Sequence, residues 1–335
     1  MTRPTKQIWI LRLVPDGRYG RWLVAALILT AGLIIYGIAA WLVHTNPATH
    51  ERFFGWAPAA FFVVSVAYIV PVFHYVMQRI HGALDDLAPY LGGSETVAEL
   101  HQQVDHRSLL WIVRTTIVGL TFWLLQGRLL VGNWSRMVER STESYVAFVM
   151  DFGPIFVWVI LTMTVRALFE NAQLFRRLTR ELKLDVFNPA TFTPIGRMAV
   201  YSTLTIVGAI AIFPVMWMDG QLNLWTTVPG LATMSPFIVV LLVLPVLPVH
   251  HRMREQKRAA IADVQHEINE QRADGAKQNA SEQLRLLALR REIAALPAWP
   301  FDVSAIARFA GYAIVVPLTW AGAALIEMLV NVILD

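Results

Sequence analysis

The chain has 335 residues, of which 56% are hydrophobic and 16% are charged, and its formal net charge is +4. Soluble domains average about 45–50% apolar and about 25% charged residues, so this composition excludes a disordered chain and disfavours an ordinary soluble enzyme. The sequence contains no cysteine, which excludes disulfide bonds, thiolate metal ligands and a cysteine nucleophile.

Seven apolar stretches are long enough to cross a bilayer, because a hydrocarbon core of about 30 Å requires about 20 helical residues. In chain order they run from Trp22 to Val43, Trp56 to Val76, Leu109 to Val131, Tyr145 to Phe169, Met198 to Met218, Val228 to Val249 and Ile306 to Leu334. The sequence therefore predicts an all-α, polytopic transmembrane bundle of seven spans.

Lysine and arginine are distributed unevenly over the segments between these spans. Alternate segments carry 21 of them on one side of the membrane and three on the other. Because these residues remain mainly in the cytoplasm, we expect a cytoplasmic N-terminus and an external C-terminus. A basic cytoplasmic face favours anionic lipid as a partner. Nucleic-acid binding would need a soluble basic domain, and the sequence has none.

Three ionisable residues lie at similar depth in the outer half of the membrane under this topology. Asp151 is in the fourth span, Glu327 in the seventh and Arg128 near the outer end of the third. Intramembrane charges are costly and usually face protein or water, so we expect these three to converge. Two interpretations compete, a structural ion pair of Arg128 with one acid and a cation or proton route lined by both acids. Snorkelling to the interface is a third.

The inner half of the membrane contains a separate set of ionisable residues. His74 lies in the second span, and an intramembrane histidine can titrate near neutral pH. It is therefore a candidate for gating or proton relay, although a hydrogen-bonded core histidine is the simpler interpretation. Arg114 and Arg166 are near cytoplasmic span ends, where we expect them to snorkel.

Proline and glycine suggest interruptions in two spans. Gly153 and Pro154 follow Asp151 in the fourth span, and Pro229, Gly230 and Pro236 lie at the start of the sixth. A proline inside a helix removes a backbone hydrogen bond, and broken helices can present carbonyl groups to ions in channels and transporters. The alternative is that these prolines only kink the spans, since proline is common in membrane helices.

The largest soluble segment follows the sixth span and predicts a cytoplasmic antiparallel helical hairpin. Apolar residues recur at helical spacing on both arms, at Ile261, Val264 and Ile268 and at Leu286, Leu289, Ile293 and Leu296. They either hold the two arms together or also form an oligomer or partner interface. The predicted organisation is a membrane region at 1–249, the hairpin at 250–300 and the seventh span at 301–335.

The hairpin and the last span carry a resemblance. His250, Arg252, Lys257 and Arg258 form a His-x-Arg-x-x-x-x-Lys-Arg arm, which is followed by a Leu-Pro-x-Trp-Pro-Phe turn at 296–301. Over residues 250–335 the chain resembles multi-spanning bacterial membrane proteins of unknown function. The resemblance implies a bacterial source, with the inner membrane as the location in a Gram-negative cell, and it implies no activity.

Motifs for enzymatic chemistry are absent from the sequence. It contains no phosphate-binding loop, no nucleophile elbow and no His-Glu-x-x-His helix. We therefore expect no enzyme activity, no cofactor and no bound metal. The first functional hypothesis is a homo-oligomeric ion channel or transport protein with intramembrane acids on its pathway. The alternative is a membrane scaffold or signalling component that binds a protein partner through the hairpin.

Overall fold

The computed structural model describes residues 5–15, 17–45, 56–91, 94–131, 134–181, 192–217, 224–273 and 280–295, together with positions 311 and 314. Nearly all of these residues are helical, which confirms the all-α prediction. The elements in chain order are β1 (Thr5–Gln7), α1 (Trp9–Arg12), α2 (Gly20–Thr45), α3 (Trp56–Leu87), α4 (Ser94–Asp105), β2 (His106–Ser108), α5 (Leu109–Val131), α6 (Trp134–Glu143), α7 (Tyr145–Phe152), α8 (Pro154–Glu181), α9 (Thr193–Ala211), α10 (Leu224–Ala273) and α11 (Ala280–Ala295). Short 3-10 turns at Ala88–Tyr90 and Phe213–Trp217 follow α3 and α9.

Five helical segments are long and apolar enough to cross a membrane. They are Gly20–Thr45, Trp56–Tyr90, Leu109–Gly127, Tyr145–Thr179 and Thr193–Met216. These segments coincide with the first five predicted spans. The stretch predicted as the sixth span forms the first half of α10. The stretch predicted as the seventh lies almost entirely outside the described residues.

Large apolar side chains point outward along α2 and α5, which lie at the edge of the bundle. Trp22 is 76% exposed, and Leu33 and Ile117 are also more than half exposed. In water such a surface would be a large apolar patch. In a bilayer it is the surface that contacts lipid, so the exposure pattern agrees with a membrane-embedded protein.

The core is formed mainly by α3, α8 and α9 with the middle of α10. Helix α5 packs closely on α8 at Gly119, where an added Cβ would lie 2.8 Å from Val159 Cα. Small residues that allow backbones to approach are typical of helix packing in membranes, where dispersion contacts replace the hydrophobic effect. Gly119 therefore sets the position of α5 against the core.

The N-terminal segment is built into the end of the bundle. Strand β1 pairs antiparallel with β2, and the N–H of Ile8 donates to the carbonyl oxygen of Asp105 at 3.0 Å. Ile8 and Ile10 are fully buried, and Trp9 Nε1 donates to Met163 Sδ at 3.1 Å. The two-stranded ladder is a small addition to the predicted all-α fold.

Helix α10 is continuous over Leu224–Ala273. In place of the break predicted at Pro229, Gly230 and Pro236, the backbone is helical throughout. A membrane helix tolerates proline where neighbouring groups satisfy the freed carbonyl oxygen. The helix also passes through residue 250, the boundary at which the membrane region was predicted to give way to the hairpin.

The helix is locally irregular at Gly153 but is not broken there. Helix α7 ends at Phe152 and α8 begins at Pro154, but Gly153 keeps helical dihedral angles of φ −52° and ψ −42°. Its N–H donates to the carbonyl oxygen of Val149 at 2.9 Å. The regular hydrogen-bond pattern is interrupted because Pro154 has no N–H to donate.

Helices α10 and α11 contact each other through apolar side chains. The buried residues of this contact are Val264, Ile268, Leu286 and Ile293. Lys257 Nζ also donates to the carbonyl oxygen of Ala294 at 2.7 Å. Leu289, predicted in the same apolar stripe, is exposed, and Leu296 lies outside the described residues. Ile261 is partly buried against the same four residues, so five members of the two predicted stripes form the contact.

Candidate functional site

Asp151 is a buried acid near the end of α7, within the candidate span Tyr145–Thr179. Its residue surface is only 6% exposed. Ser141, on the short helix α6, donates its hydroxyl to Asp151 Oδ2 at 3.0 Å, and Trp123 Nε1 donates to the Asp151 carbonyl oxygen at 2.7 Å. The residue therefore joins α5, α6 and α7 at one point, next to the junction at Gly153.

The partners predicted for Asp151 fall outside what the structure describes. Glu327 lies outside the described residues, and Arg128 belongs to α5 with its side chain outside the described part. The predicted convergence of these three groups therefore stays a prediction. His74 is half-buried on α3. Pro229, Gly230 and Pro236 lie within α10.

A second group of polar side chains, which we call the histidine–aspartate chain, joins α3 to α4. It consists of His81 and Asp85 on α3 and His101 and Asp105 on α4. His81 Nε2 lies 2.8 Å from Asp105 Oδ1, and His101 Nε2 lies 2.9 Å from Asp85 Oδ1. The two Nδ1 atoms are 2.6 Å apart, and the ring planes differ by 15°. Each helix thus supplies one histidine and the acid that binds the histidine of the other helix.

The chain is a continuous series of hydrogen bonds. An imidazole nitrogen donates when it carries a hydrogen and accepts when it does not, and an ionised carboxylate oxygen accepts. The series runs from Asp85 through His101 and His81 to Asp105, and it links α3 to α4.

A third group, the arginine–glutamate cluster, lies between the start of α5 and the middle of α8. Its members are Arg107, Trp111, Arg166 and Glu170. Glu170 Oε1 accepts from Trp111 Nε1 at 2.6 Å and from Arg166 Nε at 3.1 Å. Arg107 Nε lies 3.2 Å from Glu170 Oε2, an ion-pair distance without hydrogen-bond geometry. One carboxylate thus serves two guanidinium groups and an indole.

Burial sets the electrostatics of this cluster. The side chain of Arg107 is only 11% exposed, and its burial lowers the pKa of the guanidinium, whereas the charge of Glu170 acts in the opposite direction. Arg166, which we expected to snorkel, instead donates to Thr115 Oγ1 at 2.7 Å and lies over the Trp111 ring, with Cζ 4.9 Å from its centroid. Arg114 is exposed.

Sequence reasoning missed the histidine–aspartate chain, although a signal for it was present. His81 precedes Asp85 by four positions, and His101 precedes Asp105 by four. Residues four apart share one face of a helix, so each pair could have been recognised as a polar helix face. The cross-pairing of the two faces depends on how α4 returns along α3, and spacing does not contain that information.

Strand β2 connects the two clusters that the structure reveals. Asp105 closes the histidine–aspartate chain at the end of α4, and Arg107 enters the arginine–glutamate cluster two residues later. Among the described residues no group of three or more His, Cys, Asp or Glu side chains is placed to hold a metal ion. The chain matches no protein-family model, no curated protein and no solved structure.

Proposed function

We propose that this chain is a seven-span, homo-oligomeric transport protein of the bacterial inner membrane that conducts a cation or a proton past Asp151. In this proposal the sixth span is the first half of α10 and the seventh occupies 306–334. The N-terminus is cytoplasmic and the C-terminus external, and residues 250–296 project into the cytoplasm as the hairpin. The charge distribution between alternate segments supports this orientation.

A contact among three helices supports the alternation of the first spans. Arg21 at the start of α2 and Arg79 in the second half of α3 both lie over the ring of Tyr75, with each Cζ 5.0 Å from its centroid. Tyr201, in the first half of α9, packs against the same ring at 6.0 Å. The start of α2, the second half of α3 and the first half of α9 therefore meet at one end of the bundle. This is expected if α2 and α9 run outward from the cytoplasm and α3 runs back to it.

The burial of the Asp151 carboxylate carries the transport proposal. A charged side chain near the bilayer centre costs at least about 2.5–3.5 kcal/mol on insertion scales, so such residues usually serve a pathway or a binding site. Here Ser141 donates a hydrogen bond to the carboxylate inside the protein. The adjacent interruption at Pro154 also changes the backbone hydrogen bonding beside it. Glu327 and Arg128 remain the proposed companions of Asp151 on this route.

Ion flux into proteoliposomes tests the proposal. We expect wild-type protein to catalyse flux of a monovalent cation or of protons, and Asp151→Asn to reduce it at least tenfold, because the amide removes the charge while keeping the shape. Asp263→Asn, at an exposed position of α10, is the matched control and should retain wild-type flux. Wild-type flux from Asp151→Asn, or no flux from the wild type with several cations and pH gradients, would contradict the proposal.

A second candidate function is a scaffold that binds protein through the hairpin. Its support is a pair of apolar surfaces on α11. Leu286 and Ile293 pack on α10, whereas Leu284 is 67% exposed and Leu287 and Leu289 are also exposed. Exposed leucines on a charged helix outside the membrane are typical of an interaction surface. The same surface could assemble the oligomer in the transport proposal.

A single charge introduced on this exposed leucine surface should weaken assembly of the oligomer without affecting folding. We expect Leu284→Glu to lower the molecular mass of the detergent-solubilised oligomer, because a carboxylate at an apolar contact is costly to bury. Light scattering coupled to size-exclusion chromatography measures this mass. Ala259→Glu, at an exposed position of α10, should leave it unchanged. An unchanged mass for Leu284→Glu would remove this surface from the assembly.

A further inference from the structure

We propose that Arg21 and Arg79, with Tyr75 and Tyr201, form a binding site for the phosphate group of an anionic phospholipid in the cytoplasmic leaflet. The inference goes beyond the transport proposal and does not depend on Asp151. It rests on the arrangement of the two guanidinium groups around one aromatic ring.

Two arginines converge on Tyr75 from different helices. Both Cζ atoms are 5.0 Å from the centroid of the Tyr75 ring, so the two guanidinium carbons are at most 10 Å apart. Arg79 also lies over Tyr201 at 5.6 Å and donates from Nε to the Tyr75 hydroxyl at 3.0 Å. Aromatic faces attract and orient guanidinium groups while leaving their N–H edges open.

The positive charge of this pair has no acidic counterpart in the part of the chain that the structure describes. Neither Arg21 nor Arg79 forms an ion pair with a described carboxylate. The upper limit of 10 Å on their separation is close to the screening length of about 8 Å at physiological ionic strength, so a nearby ion is attracted by both cations. A phosphate group has several anionic oxygens and matches the planar donor edge of arginine.

The surroundings favour a phosphate carried by a lipid over a free phosphate ion. Trp22 and Leu23 follow Arg21 directly on α2 and are both more than half exposed. An acyl chain attached to the bound phosphate would lie along this apolar surface. Tryptophan and arginine beside each other are also typical of the membrane–water interface, and basic pockets between helices on the cytoplasmic side suit anionic headgroups.

Lipid binding to purified full-length protein in detergent tests the site. The probe is phosphatidylglycerol, with phosphatidylcholine as the zwitterionic comparison and inorganic phosphate as the free anion, and native mass spectrometry counts the bound molecules. We expect at least tenfold tighter binding of phosphatidylglycerol than of phosphatidylcholine, and no displacement by millimolar phosphate. The double variant Arg21→Gln with Arg79→Gln should lose this preference.

Two further variants keep the result interpretable. Arg254→Gln with Arg258→Gln removes the same charge from exposed positions of α10 and should keep the wild-type preference. Arg21→Lys with Arg79→Lys preserves the charge and should keep part of it, which covers the case in which the glutamine variant does not fold. The proposal is overturned if wild type shows no preference, if the glutamine variant keeps it, or if millimolar phosphate displaces the lipid.

Discussion

Replacing Glu170 by alanine should lower the free energy of unfolding by about 2–3 kcal/mol. Removing one partner of a buried ion pair costs about 3–5 kcal/mol, because it leaves an uncompensated charge, and the 31% exposure of Glu170 reduces this value. The variant removes the carboxylate that pairs with Arg107, whose charged form is already disfavoured by burial. It also leaves Trp111 Nε1 without an acceptor. Denaturant or thermal unfolding in mild detergent measures the change.

Controls distinguish the loss of the charge from a general effect of truncation. Glu267→Ala, an exposed site on α10, should change stability by less than about 0.5 kcal/mol. The double variant Arg107→Leu with Glu170→Leu should recover part of the loss, since apolar residues can replace a buried ion pair at little cost, whereas Arg166 and Trp111 still lack their acceptor. Equal stability of Glu170→Ala and Glu267→Ala would show that the cluster does not stabilise the fold.

Variants of the two histidines in the histidine–aspartate chain should be strongly coupled. We expect His81→Ala and His101→Ala each to destabilise the protein by about 1.5–3 kcal/mol, since each removes a charge-assisted hydrogen bond and breaks the bond between the rings. The second substitution should then cost less than the first, because the bond between the rings is already lost. The coupling energy in a double-mutant cycle should be about 1–2 kcal/mol.

The neighbouring acid provides the control for this cycle. Asp86 is exposed on α3 beside Asp85, and Asp86→Ala should neither change stability appreciably nor couple to His101→Ala. Unfolding curves of the four cycle members and of the control give all the required free energies. Additive effects of the two histidine variants would mean that the rings are not hydrogen-bonded to each other in solution.

The five apolar helices long enough to cross a membrane could be predicted, because a bilayer requires a run of apolar residues, which is a property of the sequence alone. Helix α5 has the predicted bounds of Leu109 and Val131, and α3 continues to Leu87, as its charged and apolar pattern beyond Val76 indicates. Interruptions were harder to predict. Pro229 and Pro236 carry the same local signal as Pro154, but α10 is continuous, since neighbouring groups decide whether a freed carbonyl is satisfied.

The polar clusters could be predicted only in part, because they depend on contacts between distant segments. The place of Asp151 in the fourth apolar stretch can be read from the sequence, but its bond to Ser141 depends on α6 folding back over α7. The position of Arg166 at a span end suggested a side chain that reaches water. In the structure the Arg166 side chain is instead held by Glu170, one turn further along α8, and by Trp111 on α5. A partner at a spacing of four residues was therefore a better guide than distance from the membrane surface.

The pairing of β1 with β2 also constrains how the protein is made. The two strands are about 100 residues apart in the chain, and ribosomes add about 5–20 residues per second. Thr5–Gln7 therefore leaves the ribosome roughly 5–20 seconds before its partner strand exists. During this interval the buried surface of Ile8 and Ile10 has no binding site, and α2 and α3 must enter the membrane first. Strand β1, although synthesised before β2, therefore completes this end of the bundle only after α2 and α3 have been made.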